Sequence, residues 1–340
     1  MTAPHAPLNS QTVLVTGAGG FIGSHLVEAL VAQGAQVRAM VRYNGRNDWG
    51  SLERLPRETL AAISVMPGDI TDPFFVRRAV SGCQTVFHLA ALIGIPYSYM
   101  APQHYVAVNV QGALNVLEAC REACQTGAPV KLIQTSTSET YGTALYTPID
   151  EAHPLQGQSP YSATKIAADK LVESYVRSFD LPATILRPFN TFGPRQSARA
   201  IIPTIIAQAL ADEGPIRVGS LDPVRDFLFV EDTVRGFLAA ALCERNIGEV
   251  VHIGTGQARS IGETLTLILK RLNCPDRPVQ TEAARVRPAN SEVEVLLCNP
   301  AKAKALMGWT PQTSFEDGLQ RVIDAMAADR PRDKAHLYTV

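Results

Sequence analysis

The sequence is poor in the features that announce metal centres, disulfide scaffolds and membrane spans. Its six cysteines, Cys83, Cys120, Cys124, Cys243, Cys274 and Cys298, are scattered. They form no CxxC pair, and no histidine stands at ligand spacing from them, which argues against a zinc site and a disulfide framework. Free thiols of this kind fit a reducing compartment. No stretch approaches the ~18 apolar residues of a membrane span. The opening MTAPHAPLNSQ has neither the basic start nor the apolar run of a signal peptide, so the expected location is the cytoplasm. An excess of one charge is also missing: 31 Lys and Arg face 32 Asp and Glu, a net charge of -1. That argues against nucleic acid or a membrane surface as the partner. What is present is a globular composition, 46% hydrophobic and 19% charged over 340 residues. At ~150 residues per domain this is about two domains.

Up to residue 188 the chain alternates short apolar, β-branched runs with helical patterns. Strands are expected at 12–16, 36–42, 63–66, 84–89, 130–135 and 183–187. Helices are expected at 21–33, 73–80 and 102–124, and from Ser159-Pro160 to 179, with Ser159 as cap and Pro160 at the first helical position. Strand alternating with helix signals βαβ units and a parallel sheet. Beyond 188 the pattern is less regular. Helices are expected near 201–210, 231–243, 261–272, 300–307 and 314–328, with short strands at 216–218 and 250–253. The ends, 1–10 and 330–340, read as loose tails.

Residues 17–23 read GAGGFIG between the first strand and the first helix. Glycines at 17, 20 and 23 in that context suit a dinucleotide's pyrophosphate. Gly17 permits the turn, Gly20 the close approach, Gly23 the helix packing, and the helix N-terminus faces the anion. The alternative is an ordinary glycine-rich turn. At the end of the second strand, where NAD sites carry a carboxylate, stand Val41 and Arg42, with Arg46 close by. A guanidinium there suits a 2′-phosphate, so NADP is expected over NAD. Asp69 and Ile70, in GDITD, stand either near the adenine or at a helix cap.

Tyr161 and Lys165 form YxxxK on one helical face. An ammonium beside a phenol lowers the phenol's pKa and makes it a general base. With the glycine loop ~140 residues upstream in a βαβ chain, the sequence resembles the extended short-chain dehydrogenase/reductases, in their nucleotide-sugar branch. GAGGFIGSHL, FHLAAL, NVQGALNVLEAC, STSETYG, YSATK, LRPFNTFGPRQ, RDFLFVEDTV and RPANSEVEVLLCNPAKAKALMGW carry the resemblance in order over nearly the whole chain. Thr137-Ser138-Glu139 is similar to the GDP-mannose-dehydratase-type pattern, and IGIPYSYMAPQHYVAVN to dehydratases for nucleotide-activated N-acetylglucosamine in legionaminic-acid-type pathways.

The resemblance implies a Rossmann-type doubly wound parallel sheet over 1–188, rejoined by segments near 228–255, and a smaller α/β substrate-binding domain over 189–330. It implies a homodimer and a 4,6-dehydratase, with a 4-epimerase as the alternative. Oxidation at carbon 4 acidifies the carbon-5 proton, and the carbon-6 hydroxyl then leaves. Tyr161 and Lys165 serve the first step, Glu139 the elimination, Thr137 the carbon-4 oxygen, and Ser138 protonation at carbon 6. The cofactor falls to Gly17, Gly20, Phe21, Ile22, Gly23, Arg42, Asp69, Ile70, Ala90, Tyr161, Lys165 and Pro188. The nucleotide sugar falls to Asn190, Arg195, Arg225 and Arg287, with Arg199 as a further candidate. Trp309 is expected in the core, Asn109 in packing or at the site, and His25, His88, His104, His153 and His252 in structural or surface positions.

Overall fold

The computed structural model describes residues 8–211, 214–286 and 288–328. The alternating runs of the first half become six strands: β1 (Thr12–Thr16), β2 (Gln36–Arg42), β3 (Ile63–Gly68), β4 (Thr85–His88), β5 (Lys131–Thr135) and β6 (Ala183–Pro188). Strand Val250–Ile253 joins them at the β6 edge. The sheet order is Val250–Ile253, β6, β5, β4, β1, β2, β3, and every pairing is parallel. Alternation along β1 shows why its residues are apolar on both faces. Val13 and Val15 pack with helix α1 (Phe21–Ala32) and helix Val230–Leu242. Leu14 packs with Val116 and Val172 of the helices on the opposite face. Such two-sided burial is what a parallel sheet requires.

The chain leaves β1 toward β2 and β3 on one side and later fills β4, β5 and β6 on the other. This reversal opens a crevice at the carboxyl ends of β1 and β4, where ligands bind in doubly wound sheets. The second half adds three small sheets, pairing Asn190–Phe192 with Phe227–Phe229, Ile216–Val218 with Val279–Thr281, and Val224–Arg225 with both Arg259–Ser260 and Val295–Leu296. Helices Ile201–Ala211, Ile261–Arg271 and Phe315–Ala328 share a third apolar core with them.

The helix expected over 102–124 is broken into Pro102–Tyr105, a π-helical Val106–Gln111 and Gly112–Gln125. Asn109 sits in the π segment and spends its amide inside the fold. Its Oδ1 accepts from Leu92 N at 2.8 Å, and its Nδ2 donates to Leu92 O at 3.0 Å and Thr164 Oγ1 at 3.1 Å. Packing is therefore its work, and it holds the loop that follows β4. Residues 8–10, expected in a loose tail, form a 3-10 turn with Leu8 buried; the rest of that tail and 330–340 lie outside the described residues. Trp309 is buried in the core and donates from Nε1 to Asp232 O at 3.1 Å.

Candidate active site

The glycine loop is built by backbone contact that a side chain would prevent. Gly17 has φ +70°, and a Cβ there would lie 2.8 Å from Ala90 N. A Cβ on Gly23 would lie 2.3 Å from Gly17 O. Gly20 caps α1 with no side-chain hydrogen bond, so the first backbone N–H groups of the helix remain available to an anion. These observations fit a pyrophosphate cradle. Gly19, which the motif spacing passes over, is as tightly placed: a Cβ would lie 2.6 Å from Trp49 O, and Ser51 N donates to Gly19 O at 2.8 Å. The segment after β2 is thereby folded onto the loop.

From this cradle a cleft of about 870 Å³ runs across the ends of β4 and β5. It is lined by Gly17, Gly20, Phe21, Ile22, Gly23, Arg42, Asp69, Ile70, Ala90 and Pro188, the residues given to the cofactor from sequence. Thr137, Ser138, Glu139, Tyr161, Lys165 and Asn190 line it too. Asp69 is no helix cap: Asp72 caps helix Pro73–Val80 by accepting from Phe74 N, while Asp69 accepts from Thr71 N at 2.9 Å and Thr71 Oγ1 at 2.8 Å. The Thr71 backbone bond holds its carboxyl below the usual range.

Tyr161 and Lys165 are delivered by helix Pro160–Phe179, whose start is fixed by a reciprocal Ser159–Ser162 capping box with Pro160 in the first turn. Tyr161 and Lys165 are buried, and the Tyr161 ring meets that of Tyr105 edge-on at 6.3 Å. Lys165 Nζ donates to Thr135 O at 2.7 Å. Here the structure departs from the sequence expectation. Burial pushes the Tyr161 phenol up, opposed by its hydrogen bond with Thr137 and reinforced by Glu139. Burial also pulls Lys165 down, opposed by the Asp169 carboxylate. Desolvation sets the direction of both shifts, and the Lys165 ammonium is turned to Thr135 O.

Two substrate assignments change. Arg195 turns away from the cleft, with Nε donating to His25 Nε2 at 3.1 Å and NH2 to Glu28 Oε2 at 2.7 Å. Arg225 lies outside the cleft lining and is held by Val224 O, Glu294 O and Glu292 Oε1. Their charges are used inside the fold. Arg287 lies outside the described residues. Arg199 does line the cleft, as do His104, Trp49, Asp48, Gln196 and Ser197. Trp49, Asp48, Gln196 and Ser197 reach the site on loops, which no periodicity records, and His104, expected in a structural or surface position, reaches it from helix Pro102–Tyr105. Asn190 Oδ1 is buried without a partner, which suits a group waiting for a ligand donor. Among the described residues there is no cluster of three His, Cys, Asp or Glu that could hold a metal.

A parallel sheet of this order, a glycine cradle at its switch point and a buried Tyr–Lys pair define a nucleotide-sugar enzyme of the extended short-chain dehydrogenase/reductase type. The profile of the GDP-mannose 4,6 dehydratase family matches residues 14–322, and the chain belongs to that family. It is 35% identical over 323 residues to a low-salt glycan biosynthesis protein, Agl12, of Haloferax volcanii, covering 93% of this chain and 99% of that protein. Two solved structures are alike in fold and length. A UDP-glucose 4-epimerase from Thermotoga maritima, solved with UDP-glucose, is 28% identical with TM-score 0.82, covering 94% of this chain and 99% of its own. A dTDP-glucose 4,6-dehydratase from Streptomyces venezuelae, solved with NAD, is 27% identical with TM-score 0.79, covering 94% and 98%.

Proposed function

We propose that the protein is an NADP-dependent nucleotide-sugar 4,6-dehydratase acting on an NDP-N-acetylglucosamine as a cytoplasmic homodimer. The observation that carries the reading is a carboxylate, Glu139, in the same cleft as Tyr161 and Lys165. A 4-epimerase needs only the Tyr–Lys side of this arrangement, whereas elimination needs a base for carbon 5. The glycine cradle and α1 N-terminus would hold the pyrophosphate of a nicotinamide dinucleotide, and Arg42 would hold the 2′-phosphate. When bound, that group supplies the hydride acceptor at carbon 4, the hydride donor at carbon 6 and a positive charge beside the phenol.

Tyr161, as phenolate, takes the carbon-4 hydroxyl proton, with Thr137 bonding the same oxygen. The resulting ketone acidifies carbon 5, and Glu139 removes that proton. The carbon-6 hydroxyl departs as water, protonated by Glu139 with Ser138 assisting. With carbon 6 reduced by the bound dinucleotide, as above, a proton returned to carbon 5 would complete the 4-keto-6-deoxy sugar. Water is the only other product. Asn190 binds the sugar nucleotide with its free Oδ1.

The test is mass spectrometry on UDP-, GDP-, CDP- and dTDP-hexoses, N-acetylglucosamine forms included. A product one water lighter is expected. Glu139→Gln should slow elimination by about 10²–10⁴-fold, the usual contribution of a general acid–base group, while reduced cofactor builds up. Tyr161→Phe should give neither product nor reduced cofactor. A product of unchanged mass, inverted at carbon 4, together with wild-type turnover by Glu139→Gln, would replace this reading by the epimerase.

A further inference from the structure

Beneath the cleft lies a buried polar network that none of the steps above uses. Its centre is Arg187 on β6, 2% exposed, paired with the fully buried Asp169 at 2.7 Å. Arg187 Nε also donates to Ser136 Oγ at 3.2 Å, and Ser136 Oγ donates to Asp169 Oδ2 at 2.5 Å. On its other side Arg187 NH1 donates to the Tyr141 hydroxyl. A guanidinium can only donate, so the Tyr141 oxygen is the acceptor there, and the same hydroxyl shares a hydrogen bond with His252 Nε2, 2.6 Å away. His252 stands opposite Arg187 in the sheet, and its backbone N donates to Glu151 Oε1 at 2.9 Å.

The placement of these contacts is the point. Ser136 immediately precedes Thr137-Ser138-Glu139, and Tyr141 follows two residues after Glu139. Asp169 is one helical turn beyond Lys165 and two beyond Tyr161, on the same face. One guanidinium therefore grips the acid-bearing segment before and behind Glu139, and grips the helix that carries Tyr161 and Lys165. We propose that Arg187 is a positioning residue, which through Ser136 and Tyr141 fixes both ends of the 137–139 segment and so aims Glu139 at carbon 5. The proposal rests on the dehydratase reading above. The desolvated pair is costly to keep and more costly to break from one side, which makes Arg187 itself a poor probe because its removal threatens the fold. Tyr141 and Ser136 are the better probes, since each loses one hydroxyl and leaves the pair in place.

The experiment uses the full chain with NADP and UDP-N-acetylglucosamine, comparing wild type, Tyr141→Phe and Ser136→Ala. For Tyr141→Phe we expect product formation to fall at least tenfold with KM within twofold of wild type. Reduced cofactor should accumulate in turnover, because hydride removal at carbon 4 survives while elimination lags. Ser136→Ala should move in the same direction. A residue that merely stabilised the fold would lower hydride removal and elimination together, alongside the melting temperature. That outcome, or wild-type turnover by Tyr141→Phe, overturns the proposal. Should wild type form no dehydrated product, the dehydratase reading fails and the proposal with it. That result is read on wild type alone, so the two failures are separable.

Discussion

Tyr161 and the histidines show burial setting charge. The phenol is raised and the ammonium lowered by desolvation, so the free protein holds Tyr161 protonated at neutral pH, and activation must come with the ligands. His25 is lowered to about 4, by burial first and then by Arg195, and His88 to about 3, by burial and then by Lys165. Both start from 6.5 when unfolded. Between 6.5 and these values the unfolded chain takes protons that the folded chain refuses, so stability falls as pH drops through that window. Melting temperature should decline from pH 7 to pH 5, and His25→Gln should flatten the decline; a pH-independent melting temperature in wild type would contradict this. Arg42 is exposed on the cleft wall. If it grips a 2′-phosphate, Arg42→Ala should lose about 10–100-fold in affinity for NADP and little for NAD, since a hydrogen bond to a charged group contributes ~1.5–3 kcal/mol. Equal wild-type affinity for both cofactors, measured by titration calorimetry, would remove the basis of the assignment.

Among the elements, the one that presents Tyr161 and Lys165 depends on its start. Ser159 Oγ accepts from Ser162 N at 3.1 Å, and Ser162 Oγ returns the bond to Ser159 N at 3.0 Å. Ser159→Ala should destabilise the protein by about 1 kcal/mol in denaturant unfolding, with no change in cofactor affinity. Gly23→Ala is a different case. The added Cβ would meet Gly17 O at 2.3 Å, so α1 must shift off the loop, and dinucleotide binding should be lost before the sheet is. The cap and the glycine spacing were legible because they are local: a serine before proline, three glycines between a strand and a helix. The π segment at 106–111 was not, because Asn109 is drawn inward by Leu92 and Thr164, partners 17 and 55 residues away.

For the whole molecule, the sheet leaves one side of helix Pro160–Phe179 incompletely covered. Ala163 is exposed, and Ile166, Ala167 and Leu171 are half-buried. Nearby segments expose Met100 and Val106. An apolar face of this kind is what a helix-paired dimer would cover, and light scattering at micromolar concentration should give twice the chain mass of 36.7 kDa. A monomer there would refute the dimer. No helix among the described residues is long and apolar enough to cross a membrane.

The sequence by itself determined the order of the six strands of the first half, the spacing of the glycine loop and the Tyr161–Lys165 pair, while helices Arg57–Ala61 and Ile95–Met100 went unread and Thr137, Ser138 and Glu139 came with the family resemblance. Periodicity, glycine spacing and capping are local, and they survive folding unchanged. Which charges face the cleft was decided only by tertiary structure. Arg195 and Arg225 carry the right chemistry for a diphosphate, yet Glu28 at 167 residues' separation and Glu292 at 67 hold them. Arg199 reaches the cleft on a loop whose course no periodicity records, and His104 from the short helix Pro102–Tyr105 that the expected long helix concealed. Burial, likewise, depends on everything packed around a group. It reversed the shift expected of Tyr161 from its neighbour four residues on, and it gathered Ser136, Tyr141, Asp169, Arg187 and His252 into one network beneath the site.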